Sequence, residues 1–233
     1  GQSPDIVSVL AEGKRQGCLT LAVTNEPAPP LAQASDFLID LQAGKERAVA
    51  ATKTYTSELL AIAMLSVALS AEENGWDDLA RVPGWVEEML QAGGTIAKIA
   101  QRYRYMEQCV VLGRGYNYAT AFEWALKLKE LTYVAADPYS SADFKHGPIA
   151  MIERGFPVLA IVPEGKVFGS MLHMLEELRS HYQAELVVIS DSDSALSLAQ
   201  SGISLPRGIP EWLTPLVAIV AGQLFAYHLT VAK

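Results

Sequence analysis

Apolar positions follow two rhythms along the chain. Pro4–Gln16 carries Ile6, Val7, Val9 and Leu10 on a helical repeat and ends on Lys14 and Arg15. This predicts an amphipathic helix with cations near its carboxyl end. Ser3 supplies a cap and Pro4 suits the first helical position. Cys18–Thr24 is a continuous apolar run and predicts a buried strand. Pro27, Pro29 and Pro30 then impose a loop, Asp36–Leu41 predicts a second short strand, and Thr52–Ala71 predicts a long, very apolar helix. Strands alternating with helices predict an α/β fold with a parallel sheet.

Residues Asp77–Tyr105 are more polar, with Val86, Met89, Leu90, Ile96, Ile99, Ala100 and Tyr103 at helical spacing. They predict one or two connecting helices, broken around Gly93-Gly94. The alternation then restarts. Strands are expected at Gln108–Leu112, Pro157–Val162, Glu185–Ser190 and Gly202–Leu205, and helices at Tyr118–Tyr133, Phe168–Tyr182 and Trp212–Ala232. The second α/β unit is complete in this pattern, whereas the first has only the back half of one. The expected organisation is therefore residues 1–80, a connector over 81–106, and a second domain over 107–233. The chain opens on Gly1 with neither a Met nor a preceding strand, so it is expected to be a piece of a longer one.

Composition narrows the function. With 18 Lys and Arg against 26 Asp and Glu, the net charge is −8, which excludes the basic footprint of a nucleic-acid binder. Any phosphate site must be local, made of backbone N–H groups, hydroxyls and helix N-termini. Cys18 and Cys109 sit in apolar runs without CxxC spacing, so both are expected to be reduced core residues of a cytoplasmic protein, with no metal site. Gln223, Tyr227 and His228 interrupt Trp212–Ala232, which therefore predicts a buried helix and no membrane span.

Two stretches carry specific chemistry. One is Glu46-Arg47-Ala48-Val49-Ala50-Ala51-Thr52-Lys53-Thr54-Tyr55-Thr56. The other runs from Leu112-Gly113-Arg114-Gly115 through Glu123-Trp124-Ala125-Leu126-Lys127-Leu128-Lys129-Glu130-Leu131 to Lys145-His146-Gly147-Pro148. In this order they resemble the isomerase half of glucosamine–fructose-6-phosphate aminotransferase and related glucosamine 6-phosphate deaminases, enzymes with tandem SIS domains. The resemblance covers nearly the whole chain. It implies two SIS-type three-layer α/β/α units with parallel sheets, the first N-terminally incomplete.

The same resemblance implies the site. Gly1-Gln2-Ser3 would end a phosphate loop, with Gln2 and Ser3 as substrate-binding residues and the backbone of Val49 near the sugar. A serine commonly follows Val49 by two positions, where this chain has Ala51. Glu130 would be the acid/base, with Lys127 beside it. Glu123, Lys127 and Glu130 share one helix face, which on an arbitrary helix would be a solvated ion pair. His146, in a Gly-Pro turn, would open the sugar ring in a neighbouring subunit's site. Ser3 on its own residues suits a plain helix cap as well as a phosphate ligand. The second unit has Pro163-Glu164-Gly165-Lys166 where a serine-rich turn would stand, so one phosphate site per chain is expected.

These implications point to an enzyme interconverting fructose 6-phosphate and glucosamine 6-phosphate, with ammonia released or transferred. No cofactor is expected. The partners would be a sugar phosphate and a second copy of the chain in a homodimer with shared sites, with no nucleic acid or membrane. The alternative is a non-catalytic sugar-phosphate-binding regulator, which needs neither Glu130 nor His146.

Overall fold

The computed structural model describes residues 3–26, 30–48, 50–70 and 74–233. Expectations that fall on Gly1, Gln2, Pro27, Pro29, Val49 and Ala71 lie outside the described residues. The fold is α/β with parallel sheets, and the chain divides into two compact units, Gly1–Trp76 and Asp77–Lys233.

The first unit contains α1 (Pro4–Arg15), β1 (Leu21–Thr24), α2 (Pro30–Ala34), β2 (Phe37–Asp40) and α3 (Lys53–Leu69). β1 and β2 pair in parallel, with Leu21 opposite Phe37 and Thr24 opposite Asp40. A parallel pair needs a crossover, and the segment holding α2 supplies it. Pro30, expected in a loop, instead opens α2, because its fixed φ suits a helix start. The Asp36 carboxylate accepts from the Thr20 N–H (3.1 Å) and hydroxyl (2.9 Å) and pairs with Lys14 at 2.8 Å. These contacts tie the end of α1 to the starts of both strands. The Lys14 ammonium and the Thr20 donors hold the Asp36 carboxyl below the usual carboxylate range.

Cys18 corrects the expectation of two core cysteines: it is exposed and precedes β1. It belongs to the turn that ends α1. Gly17 adopts φ +79°, its N–H bonds to Lys14 O, and the Cys18 N–H bonds to Gly13 O. That paired pattern is the left-handed helix stop that glycine makes cheap, and it uses residues that the apolar run alone assigned to a strand. α1 buries no residue fully: Val7 and Leu10 are half-buried, while Ile6 and Val9 stay exposed.

The second unit starts within α4 (Gly75–Gln91), and α5 (Gly93–Arg102), β3 (Gln108–Gly113), α6 (Asn117–Thr132), β4 (Ala135–Ser140) and α7 (Ser141–Phe144) follow. β5 (Pro157–Ile161), α8 (Phe168–Ser180), β6 (Glu185–Ser190), α9 (Asp193–Leu196), β7 (Ser201–Ser204) and α10 (Thr214–Ala232) complete it. The helix break falls at Ala92, with Gly93 already inside α5. The five strands are all parallel in the order β4-β3-β5-β6-β7. Chain direction across the sheet reverses between β3 and β5, the switch point where open α/β sheets form sites at the carboxyl ends of their strands.

β4 has no counterpart among the expected strands. It is an edge strand containing Asp137 and Pro138, both poor strand formers, and only the pairing with β3 makes it regular. β3, β5 and β6 are nearly continuous buried runs, as a sheet covered on both faces requires. Cys109 lies in β3, and burial pushes its thiol up to about 12.

α10 packs on α5 and α6 and buries residues on nearly every side. Among the described residues, Glu211–Ala232 is the one helical stretch long and apolar enough to cross a membrane, and 56% of its most apolar window is buried inside the protein. Gly222 lets α10 approach the fully buried Trp124 of α6: a Cβ there would lie 2.9 Å from the indole Cγ. Gly222→Ala should therefore destabilise the protein by about 1–3 kcal/mol, the usual cost of overpacking, read as a lower urea midpoint with unchanged slope. An unchanged midpoint would mean that the helices separate without cost.

Candidate functional site

α6 starts from the Gly-Arg-Gly turn at the carboxyl end of β3. A Cβ on Gly113 would come within 2.2 Å of the Asn117 carbonyl oxygen, so only glycine lets the strand turn this tightly into the helix. Gly115 has φ +59°, a second glycine conformation in the same turn. The Asn117 amide donates to Thr214 Oγ1 at 2.7 Å and Asn117 Oδ1 accepts from Thr120 Oγ1 at 3.0 Å. This buried network pins the starts of α6 and α10 together.

One turn spacing further along α6, three ionisable side chains converge. Lys127 Nζ donates to Glu130 Oε2 at 2.7 Å and pairs with Glu123 Oε1 at 3.4 Å. The side chains are 4% exposed for Lys127, 9% for Glu123 and 38% for Glu130. The solvated ion pair considered for an arbitrary helix is thus excluded: two of the three charges are inside the protein. Burying an ion pair is costly, and for stability alone an apolar residue of similar volume serves as well. The arrangement suits chemistry better. A buried cation holds the base of a carboxylate whose other side reaches solvent, so the carboxylate is oriented yet open to a ligand. Glu123 shares the face noted in the sequence but was absent from the expected site. Its i, i+4 spacing to Lys127 was the available signal.

His146 makes no hydrogen bond or ion pair to this triad. It follows α7 in a turn, its N–H donates to Asp143 O at 3.0 Å, and the residue is exposed. Buried Phe144 anchors one side of the turn through Tyr139, with ring centroids 5.5 Å apart. Lys145 pairs with Glu177 of α8 at 2.8 Å. Gly147 has φ +155°, which favours glycine, and Pro148 opens a short 3-10 turn.

In the first unit, Ser3 occupies the cap position of α1 with extended backbone, and Pro4 follows as expected. The Ser3 hydroxyl makes no capping hydrogen bond, although its carbonyl accepts from Val7 N–H at 3.2 Å. Gln2 and Val49 lie outside the described residues. A cleft of about 690 Å³ opens at the carboxyl ends of β1 and β2, with Thr24, Asn25, Asp40, Glu46, Thr54 and Glu58 on its walls. Burial pushes the Glu58 carboxyl above its ordinary value. Burial also pushes Glu46 up, but donation from Thr54 Oγ1 (3.0 Å) and N–H outweighs it and leaves that carboxyl low. Glu58 was missed in the sequence, and its signal was the single carboxylate in the apolar helix α3. Among the described residues no cluster of three or more His, Cys, Asp or Glu could hold a metal ion.

The SIS domain model matches residues 1–68 and 104–233. The chain belongs to the SIS domain family. This SIS chain is 34% identical, over all of its length, to the isomerizing glutamine–fructose-6-phosphate aminotransferase of Thermococcus kodakarensis, of which it covers 40%. It is 36% identical, over 98% of its length, to the enzyme of the same name from Aquifex aeolicus, of which it covers 39%. Among solved structures, it superposes on the C-terminal domain of glucosamine-fructose-6-phosphate aminotransferase from Francisella tularensis. The TM-score is 0.88 at 27% identity, with 99% of this chain and 68% of that chain covered. The SIS chain thus spans about two fifths of the length of these curated relatives.

Proposed function

We propose that this chain carries out the sugar isomerisation of an amino-sugar-phosphate enzyme, interconverting fructose 6-phosphate and glucosamine 6-phosphate with ammonia released or transferred. The observation that carries this reading is the buried Lys127 between Glu123 and Glu130, on the helix that leaves the Gly-Arg-Gly turn. Ammonia replaces the keto oxygen at C2 as water leaves, and Glu130 then moves the proton between C1 and C2 through an enolamine. Lys127 orients that carboxylate and offsets the negative charge that develops. His146 opens the sugar ring, reaching from the second subunit of a homodimer. Ser3 and Gln2 hold the phosphate, and the backbone of Val49 lies near the sugar. The names of the aminotransferase relatives support fructose 6-phosphate as one of the two sugars.

The reading includes tandem SIS units, with the connector and second domain at residues 81–106 and 107–233. Support comes from element order: α1–β1–α2–β2–α3 in the first unit repeats α8–β6–α9–β7–α10 in the second. Both series hold a parallel strand pair joined through a short helix. In that alignment Ser3, before α1, corresponds to the turn before α8.

Binding is the direct test. Glucosamine 6-phosphate should bind the full-length protein far more tightly than glucosamine in calorimetry, and Ser3→Ala should weaken only the phosphorylated ligand. The motivation is the uncommitted Ser3 hydroxyl at a helix start. Equal affinity for the two sugars removes the phosphate site from this reading.

A further inference from the structure

The second unit has its own turn at the position that a phosphate loop would take, and an anion already sits on it. β5 leads through Pro163-Glu164-Gly165-Lys166 into α8, at the switch point beside β3. The Lys166 backbone N–H donates to Glu211 Oε1 at 3.0 Å. Glu211 comes from a distant part of the chain, the short 3-10 turn Glu211–Leu213 that precedes α10. Its carboxylate is pressed against the loop: a Cβ on Gly165 would lie 2.4 Å from Glu211 Cδ. Gly165 adopts φ +152°, so the loop is doubly committed to glycine. The next free donor of the loop is also taken by a carboxylate, with Glu164 N–H donating to Asp191 Oδ1 at 2.8 Å. The adjacent cation, Arg114 of the β3 turn, donates to Ser170 Oγ at 3.1 Å in the first turn of α8.

We propose that Glu211 is a built-in anion that occupies the β5–α8 turn and keeps the second sheet's switch-point crevice closed to phosphate. Backbone N–H groups before a helix, with an arginine alongside, attract a negative group. Here that group is covalently part of the chain, so it acts at high effective concentration and needs no ligand to arrive. An external phosphate must displace a tethered carboxylate of the same sign, which also repels it. The device allows the two halves of a repeated fold to differ in ligand binding without different backbone courses. It rests on the proposed repeat of the two units, but not on the α6 triad or on turnover.

The test uses the full chain, labelled with nitrogen-15, and inorganic phosphate at constant ionic strength. The amides of Gly165, Lys166 and Phe168 are followed, so phosphate bound in the first unit does not register. Wild type should respond weakly. Glu211→Ala should give saturable shifts with an apparent Kd at least about tenfold lower than wild type. Glu211→Gln, which keeps the shape and one acceptor but not the charge, should fall between them. If the alanine variant does not fold, the glutamine variant decides, because loss of the charge alone should make the shifts saturable. Equal response in wild type and variant, or none in a folded variant, overturns the assignment.

Discussion

Glu130→Gln should lower kcat by about a hundredfold or more while leaving substrate binding within a few fold, because a proton-transfer carboxylate acts chiefly in the transition state. The amide keeps the shape of the side chain and an acceptor for Lys127, so the helix should survive. It cannot take a proton from carbon. The structure makes the comparison clean: Glu130 is the most exposed of the three charges, and its substitution leaves the buried Glu123–Lys127 pair in place. Deuterium at C2 of glucosamine 6-phosphate should wash out into solvent with wild type and be retained with the variant. Unchanged washout in a folded Glu130→Gln protein takes this residue out of the mechanism.

Mixing inactive Glu130→Gln chains with inactive His146→Ala chains should restore about a quarter of wild-type activity, if each site combines Glu130 of one subunit with His146 of its partner. Statistical pairing makes half the dimers hybrid, and each hybrid has one intact site of two. Two features motivate the test. His146 is exposed in a Gly-Pro turn, where another surface is needed to fix a ring for proton transfer. Tyr118, Phe122 and Leu126 also leave an apolar stripe on the outer side of α6, the helix that carries the triad. Co-refolding with differently tagged chains establishes that hybrids form. Hybrids without activity mean that His146 serves its own chain or no site at all.

Much of this protein was legible in one dimension. The central strands β3, β5 and β6 read as apolar runs because a sheet covered on both faces has no polar side to interrupt them. The Gly-Arg-Gly turn and the Lys-His-Gly-Pro turn were legible because glycine conformations and proline leave few alternatives in short peptides. Edge and terminal features were not. β4 owes its regularity to β3 and contains a proline, so no local signal marks it. Cys18 looked like strand because an apolar run does not reveal that its first residues will close a helix. The burial of Glu123 and Glu58 was hidden for a related reason: a charge on an apolar helix counts as solvated until a neighbour covers it.

Local periodicity, turn chemistry and the order of motifs therefore determined the α/β class, the parallel pairing and which helix carries Glu123, Lys127 and Glu130, since each depends on residues within a few turns of one another. Tertiary packing alone decided that Lys127 is buried while Glu130 is not, that Glu211 reaches across to Lys166, and that Trp124 meets Gly222. Those outcomes depend on which elements come to lie side by side. Desolvation, the quantity that separates a surface ion pair from a held and oriented carboxylate, is a property of that surrounding and not of the side chains themselves.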